Sequence, residues 1–591
     1  MGRAFLTGAA EAGEDFFSRH LPLFFAWFAC GVVVFLVAFV VYMTFNTGLP
    51  TTPNLSFRNY ADAFDSYLVR QVIPNTAIVG LGTVAVVLFF SVPLAWLLHR
   101  TNVPLRELWT TLIAVAVIVP GFLKAMGWLM LLSPKIGLIN HFFVYVFGLE
   151  EAPLSVTNVW GVAFVQGLVL TPTMFFLLAG PGRSLDPALE EAAQVSGATM
   201  WQTIWRVSLR VLWPAILGGG IYTFMTSIAM FEIAALLGDI SRVPVLATEL
   251  FLKIKPYGSE AAIPRYGMAG VYAMLITIPS LFLLLYYRRV IEKGYRYAVV
   301  SGRGYRPRDM DLGTGRFLAL FFVFFYLLLA VILPMLVLLW SSLLPYFAMP
   351  SRHVFSLLSL RWYARIFDLI GGPKVIINTI ALVVCTPVIV LFFSFMISWI
   401  VVKTRLRGRG WMDAIAMAPH AIPSIGFGFA LVVFGILGRK WLPWLPLYQT
   451  IGAIIIANAV NRLSYATRIT NAALLQVGRE LEESAQVCGA KRLGTMWWIV
   501  APLIKPSLVF GGLWTGLLAF REISMALMLA GPNNQVLAVR IWTKWQTGPT
   551  GMSEASALGV SIVILMGLVV FVAQKAVGVR FLQGQQGTNV A

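Results

Sequence analysis

EEAAQVSGATMWQTIWRVSLRVLW, residues 190–213, has a second copy in EESAQVCGAKRLGTMWWIVAPLIK, residues 482–505. A shift of 292 positions places Glu191 on Glu483, Ala193 on Ala485, Gly197 on Gly489 and Val207 on Ile499 without a gap. Each copy is a polar connector between apolar runs. A duplicated connector points to a function that needs two equivalent contacts on one side of a membrane.

The surrounding composition fixes the class. Of 591 residues, 59% are hydrophobic and only 12% charged, and the mean hydropathy is +0.81, far from a soluble globular chain. A helix needs roughly 20 apolar residues to cross a hydrocarbon core of about 30 Å. Twelve stretches qualify: 22–46, 74–98, 108–133, 158–180, 214–238 and 266–287, then 316–342, 374–402, 411–437, 449–475, 506–530 and 553–575. The expected fold is therefore all-α, an integral membrane protein of about twelve helices. A net charge of +19 does not signal a nucleic-acid partner, because such proteins gather Lys and Arg on a soluble face and here they sit mainly in loops. Cys30, Cys385 and Cys488 show neither CxxC nor metal-ligand spacing and read as packing residues. Glu11, Glu14 and Asp15 precede a run from Pro22 to Phe45 that is too long for the apolar region of a signal peptide, so it reads as a retained first span.

Basic loops orient the chain. The segment between the halves carries Arg288, Arg289, Lys293, Arg296, Arg303, Arg306, Arg308 and Arg316, and the loop 403–410 carries Lys403, Arg405, Arg407 and Arg409. Both are expected in the cytoplasm, together with both termini and both copies of the duplicated stretch. The expected divisions are a cytoplasmic N-terminus at 1–21, a six-span half at 22–287, a basic linker at 288–315, a second half at 316–575 and a tail at 576–591. A shift of 303 further aligns Asn75-Thr76 with Asn378-Thr379, Trp96 with Trp399, Thr101 with Thr404 and Pro120 with Pro423. An even number of spans per half makes this a parallel repeat about an axis along the membrane normal.

Within the first copy, Asp186 and Pro187 read as a helix cap and first helical position, with Glu190 and Glu191 near the positive end of the helix dipole. Gly197 interrupts the small residues Ala192, Ala193, Ser196 and Ala198, and a short helix with Met200, Trp201, Ile204 and Trp205 follows. The shape implied is helix, turn, helix. On one reading small residues there admit a partner closely and the aromatic side chains fill its groove; on the other the stretch is an amphipathic connector lying on the lipid interface, a reading the duplication disfavours.

These residues resemble the inner-membrane permeases of binding-protein-dependent ABC importers, whose cytoplasmic EAA loop reads EAA, three residues, G, nine residues, I, one residue, LP. The first loop, near 184–210, matches at Glu191, Ala192, Ala193, Gly197, Val207 and Leu209 and has Arg210 where the family has proline. The second, near 476–502, matches at Glu483, Ala485, Gly489, Ile499 and Pro502, with Ser484 and Ala501 as departures. The runs FEIAALLGDISRVPVLATELF and FREISMALMLAGPNNQVLAVRIW, the fused halves and the SGRGYRPRDMDLG linker look like the ferric-iron type. Polyamine, thiamine and phosphonate permeases share the general pattern.

The resemblance implies two partners besides the bilayer: a cytoplasmic ABC ATPase homodimer, each subunit receiving one loop, and a periplasmic substrate-binding protein. It also places the chain in the bacterial inner membrane. No GxxxxGK[ST] loop occurs, so ATP and Mg are expected on the partner and no cofactor on this chain. No constellation for covalent or metal-assisted catalysis stands out, so neither catalytic nor metal-ligating residues are assigned. Glu232 and Glu522, 290 apart in the fifth and eleventh spans, are the candidate pathway residues. One reading has them offer hard oxygens to Fe(III) or a cationic substrate; the other pairs Glu522 with Arg521, and Glu232 with Lys124 or a backbone group. Lys124 and His420 lie near the span-breaking Pro120 and Pro423. An ion-coupled transporter with six-plus-six repeats is the distant alternative, and it gives the twin loops no purpose.

Overall fold

The scaffold is set by apolar runs that have to satisfy their own backbone groups in lipid, which only helices or closed barrels do. A computed structural model describes residues 2–184, 187–238, 243–255, 263–294, 310–441, 444 and 447–577. Asp186, the linker residues Arg296, Arg303, Arg306 and Arg308, and the tail beyond 577 lie outside the described residues. Among the described residues no strand forms, apart from the isolated bridges Asn46 to Leu55 and Thr101 to Met310.

Among the described residues eight helices are long and apolar enough to cross a membrane: His20–Phe45, Leu68–Arg100, Val159–Gly182, Met200–Ala229, Tyr266–Tyr287, Gly313–Ser342, Pro373–Lys403 and Pro549–Val572. Three bent pairs raise the number to as many as eleven. Ile451–Gln476, 26 residues long, matches the tenth expected span but is less apolar. Its Asn458, Arg462, Ser464, Thr467 and Thr470 are buried, so these polar groups are sheltered by protein.

Several expected spans are broken. Arg106–Ile118 meets Gly121–Leu132 at 92°, and Arg409–Ala421 meets Ser424–Lys440 at 99°. The breaks fall at Pro120 and Pro423, where a ring replaces the N–H that would continue the helix. The fifth and eleventh spans, expected to run to 238 and 530, instead end as long helices at Ala229 and Phe520 and resume as the short helices Glu232–Leu237 and Ser524–Leu529. Glu232 and Glu522 thus stand at breaks rather than inside continuous spans.

Equivalent positions do equivalent work in the two halves. Each half also lends its first span to the other. Phe25 packs on Phe392 at 5.0 Å between ring centroids and Phe28 on Phe393 at 5.9 Å, while Phe322 and Tyr326 pack on Phe90 at 5.8 and 5.4 Å. Phe90 and Phe393 are matched by the shift of 303. The repeated Asn-Thr pair is a clamp at the other end of the second and eighth spans. Asn75 Nδ2 donates to the Pro244 carbonyl (3.2 Å) and Asn378 Nδ2 to those of Asn533 and Gln535 (3.2 and 3.1 Å). Thr76 and Thr379 Oγ1 accept the N–H groups that open the helices Leu246–Ile254 and Leu537–Trp545, each at 3.0 Å.

Candidate functional site

The duplicated stretch folds twice into one shape. Pro187–Val195 and Arg479–Val487 are helices of nine residues, and each is closed by a left-handed glycine, Gly197 at φ +86° and Gly489 at φ +85°. The closing bonds are the same: Gly197 N–H to the Gln194 carbonyl (2.9 Å) and Ala198 N–H to Ala193 (3.0 Å), then Gly489 to Gln486 (3.0 Å) and Ala490 to Ala485 (2.9 Å). This is the paired bonding by which a C-terminal glycine satisfies the last carbonyls of a helix. A Cβ added at either glycine meets nothing within 4 Å. Backbone conformation, not space, therefore demands glycine. After the turn, Thr199 and Gln202 form a reciprocal capping box for Met200–Thr203.

Of the loop residues singled out by sequence, Glu191, Ala192, Gly197, Glu483, Gly489 and Pro502 are exposed, Ala193 is half-buried and Ala485 buried. Between them stand Val195 and Val487, 89% and 88% exposed at matching positions, with Trp201, Trp205 and Trp498 also outward. These exposed apolar side chains are free to meet lipid or a protein partner.

Sequence reasoning passed over what fastens these loops to the spans. Glu190 forms a buried ion pair with Arg100 and also accepts from Ser208 Oγ at 2.6 Å. In the other half Glu482 pairs with Lys403 at 2.6 Å, and Lys403 also donates to the Val477 carbonyl at 2.7 Å. Glu190 and Glu482 are related by the shift of 292, Arg100 and Lys403 by that of 303. Opposite charges conserved across both shifts were the available signal.

The loops enter the membrane differently. Both following helices widen by a π-turn, at Ile204–Ser208 and Thr495–Val500. The first then runs unbroken to Ala229. The second bends by 73° between Arg492–Leu503 and Lys505–Phe520, because Pro502 and Pro506 fall one turn apart where the first half has Arg210 and Pro214.

Charged and aromatic groups meet where the halves touch. Glu232 accepts from Ser524 Oγ at 3.1 Å, and these two residues are themselves related by the shift of 292. Glu522 pairs with Arg462 at 3.1 Å and accepts the N–H groups of Ser524 and Met525 at 3.1 and 3.3 Å. The expected alternatives, Arg521 and Lys124, are used elsewhere. Arg521 donates to the Val117 carbonyl at 2.7 Å and Lys124 to that of Ala116 at 2.8 Å, covering the carbonyls exposed by the break at Pro120. Tyr222 and Tyr465 join across the halves by a hydroxyl bond of 2.8 Å, with the His420 ring stacked on Tyr222 at 4.8 Å. Among the described residues no three His, Cys, Asp or Glu side chains gather as a metal cage.

The sequence is similar to known proteins. The family model described as binding-protein-dependent transport system inner membrane component matches twice, at residues 89–297 and 374–583. The ferric transport system permease protein FbpB of Actinobacillus pleuropneumoniae is 24% identical over 91% of this chain and 76% of its own length. The Fe(3+)-transport system permease protein FbpB 2 of Haemophilus influenzae is 21% identical over 91% of this chain and 94% of its own. The spermidine/putrescine transport system permease protein PotB of the same organism is 26% identical over 44% of this chain and 91% of its own.

Proposed function

We propose that this chain, which belongs to the family of binding-protein-dependent transport system inner membrane components, carries ferric iron inward. It is a multi-pass transport subunit of an ABC importer and not itself an ATPase. Support for iron comes from coverage: the ferric relatives extend over both halves, whereas the polyamine relative matches less than half of this chain.

The twin glycine-closed loops carry the mechanism. Each presents a protruding valine and exposed aromatic side chains to one subunit of a cytoplasmic ATPase homodimer, which holds ATP and Mg. This chain binds no cofactor of its own. The loops and both termini face the cytoplasm, while a periplasmic binding protein delivers cargo on the opposite side. Closure of the ATPase pair draws the loops together. Because Arg100 and Lys403 tie them to the second and eighth spans, the movement passes to the helices as a rigid-body switch between inward-open and outward-open states.

At the contact of the halves Glu232 and Glu522 offer carboxylate oxygens, the ligand type a hard cation prefers. A cation reaching Glu522 competes with Arg462, so passage is linked to opening that pair. Identifying the ligand of the cognate binding protein tests the substrate. Ferric iron is expected; a polyamine or phosphonate would overturn the assignment.

A further inference from the structure

We propose that the second coupling loop carries a binding site for the phosphate group of an acidic phospholipid, a site the first loop lacks. The proposal rests on the reading that these loops face the cytoplasm. A cavity of about 700 Å³ opens beside the second loop, between the start of the first span and the end of the eighth. Its apolar wall includes Leu23 and Trp399, and its polar wall includes Lys403, Glu482, Arg405 and Arg492. Lys403 and Glu482 neutralise each other. Among the described residues Arg405 and Arg492 form no ion pair, and both are exposed. Two guanidinium groups beside an apolar wall suit a phosphate with attached acyl chains, since guanidinium binds phosphate through paired hydrogen bonds. Trp399 and Lys403 close the eighth span, which puts the cavity at head-group level, where tryptophan and basic side chains collect.

The first half shows why there is one such site. Asn102 stands where Arg405 does and Met200 where Arg492 does, so both cations are missing. The corresponding turn is also filled. Met310 N–H donates to the Arg100 carbonyl (2.8 Å), Asn102 N–H to Met310 (3.1 Å), Asn102 Nδ2 to Asp311 (2.6 Å) and Leu312 N–H back to Asn102 Oδ1 (3.1 Å). The Gly313 N–H and the Asn102 amide hold the Asp311 carboxyl below the usual carboxylate range. In one half the linker braces the turn beside the loop; in the other the lipid does. Arg492 belongs to the second loop and Arg405 to the eighth-span turn, so an occupant joins the two.

Native mass spectrometry of the purified chain, titrated with phosphatidylglycerol or phosphatidylcholine, tests the site. Wild-type protein is expected to retain one phosphatidylglycerol per chain that R405A/R492A loses, with affinity at least tenfold weaker. R407A, on the same turn but outside the cavity, is expected to match wild type and shows that charge on the turn alone does not suffice. Equal retention by wild type and R405A/R492A, or equal retention of the two lipids, would overturn the proposal. Protection of the site by inorganic phosphate, with no phosphatidylglycerol retained, would overturn the lipid as the source of the phosphate. Labelling of exposed Cys488 by an impermeant maleimide, in right-side-out against inverted vesicles of a C385S background, reports the loop orientation separately, so a failure of that reading is distinguishable from a failure of this one.

Discussion

At the scale of single residues, the duplicated loops depend on two backbone angles and two buried charges. Gly197 and Gly489 hold φ near +85° with open space around them, so a side chain there costs strain of roughly 1–2 kcal/mol and no clash. Replacement should therefore follow backbone tolerance: Asn, which visits this region, mildest, Ala intermediate, and β-branched Val worst. The measurement is substrate moved per ATP hydrolysed in the reconstituted complex. G197V/G489V is expected to hydrolyse ATP without transport, and wild-type transport would contradict the role given to these turns. Glu190 is a second test. Its removal takes a buried carboxylate partner from the Arg100 guanidinium and from Ser208 Oγ, so E190L should lower the thermal midpoint and speed proteolysis between residues 195 and 199. R100M/E190L, which removes both charges, should recover most of the loss. The glycines were legible as letters. The buried pair was not, because an ion pair between residues 90 apart leaves no local pattern, only the agreement between two different repeat shifts.

At the scale of elements, proline decides where the halves part company. Pro120 and Pro423 break the third and ninth spans alike, to 92° and 99°, and both breaks were readable from the sequence. The difference between Arg210 and Pro502 was readable too, but its consequence was not. It needed Pro506, a turn later, to convert a substitution into a bend of 73°. P502A/P506A should straighten the entry of the second loop toward the course of the first, read as a changed distance between spin labels on the loops, with ATP-coupled transport falling at least severalfold. An unchanged distance would show that packing, not proline, sets the bend. Hydropathy alone drew the fifth and eleventh spans too long, since Ile233–Leu237 and Met525–Leu529 are as apolar as the helices they follow. Those short helices are buried in the protein, where apolarity no longer distinguishes a span from a folded-back segment.

At the scale of the whole molecule, one chain holds two copies of a machine that meet on a local axis. The contact of Glu232 with Ser524, its own repeat equivalent, is what a twofold-like axis produces when it passes between matching positions. The sequence showed parallel repeats and paired acids; it did not show that Arg462, rather than Arg521, holds Glu522. E232Q leaves the hydrogen bond to Ser524 possible but removes the charge, so uptake should fall while ATP hydrolysis persists; unchanged uptake would remove Glu232 from the pathway. The linkage of two loops to one pathway is tested most directly by loading proteoliposomes with this chain, its ATPase and its binding protein, and measuring uptake of ferric iron with and without ATP on the loop side. Uptake that requires ATP and is abolished in G197V/G489V is the predicted result. Uptake driven by an ion gradient in the absence of ATP would contradict it.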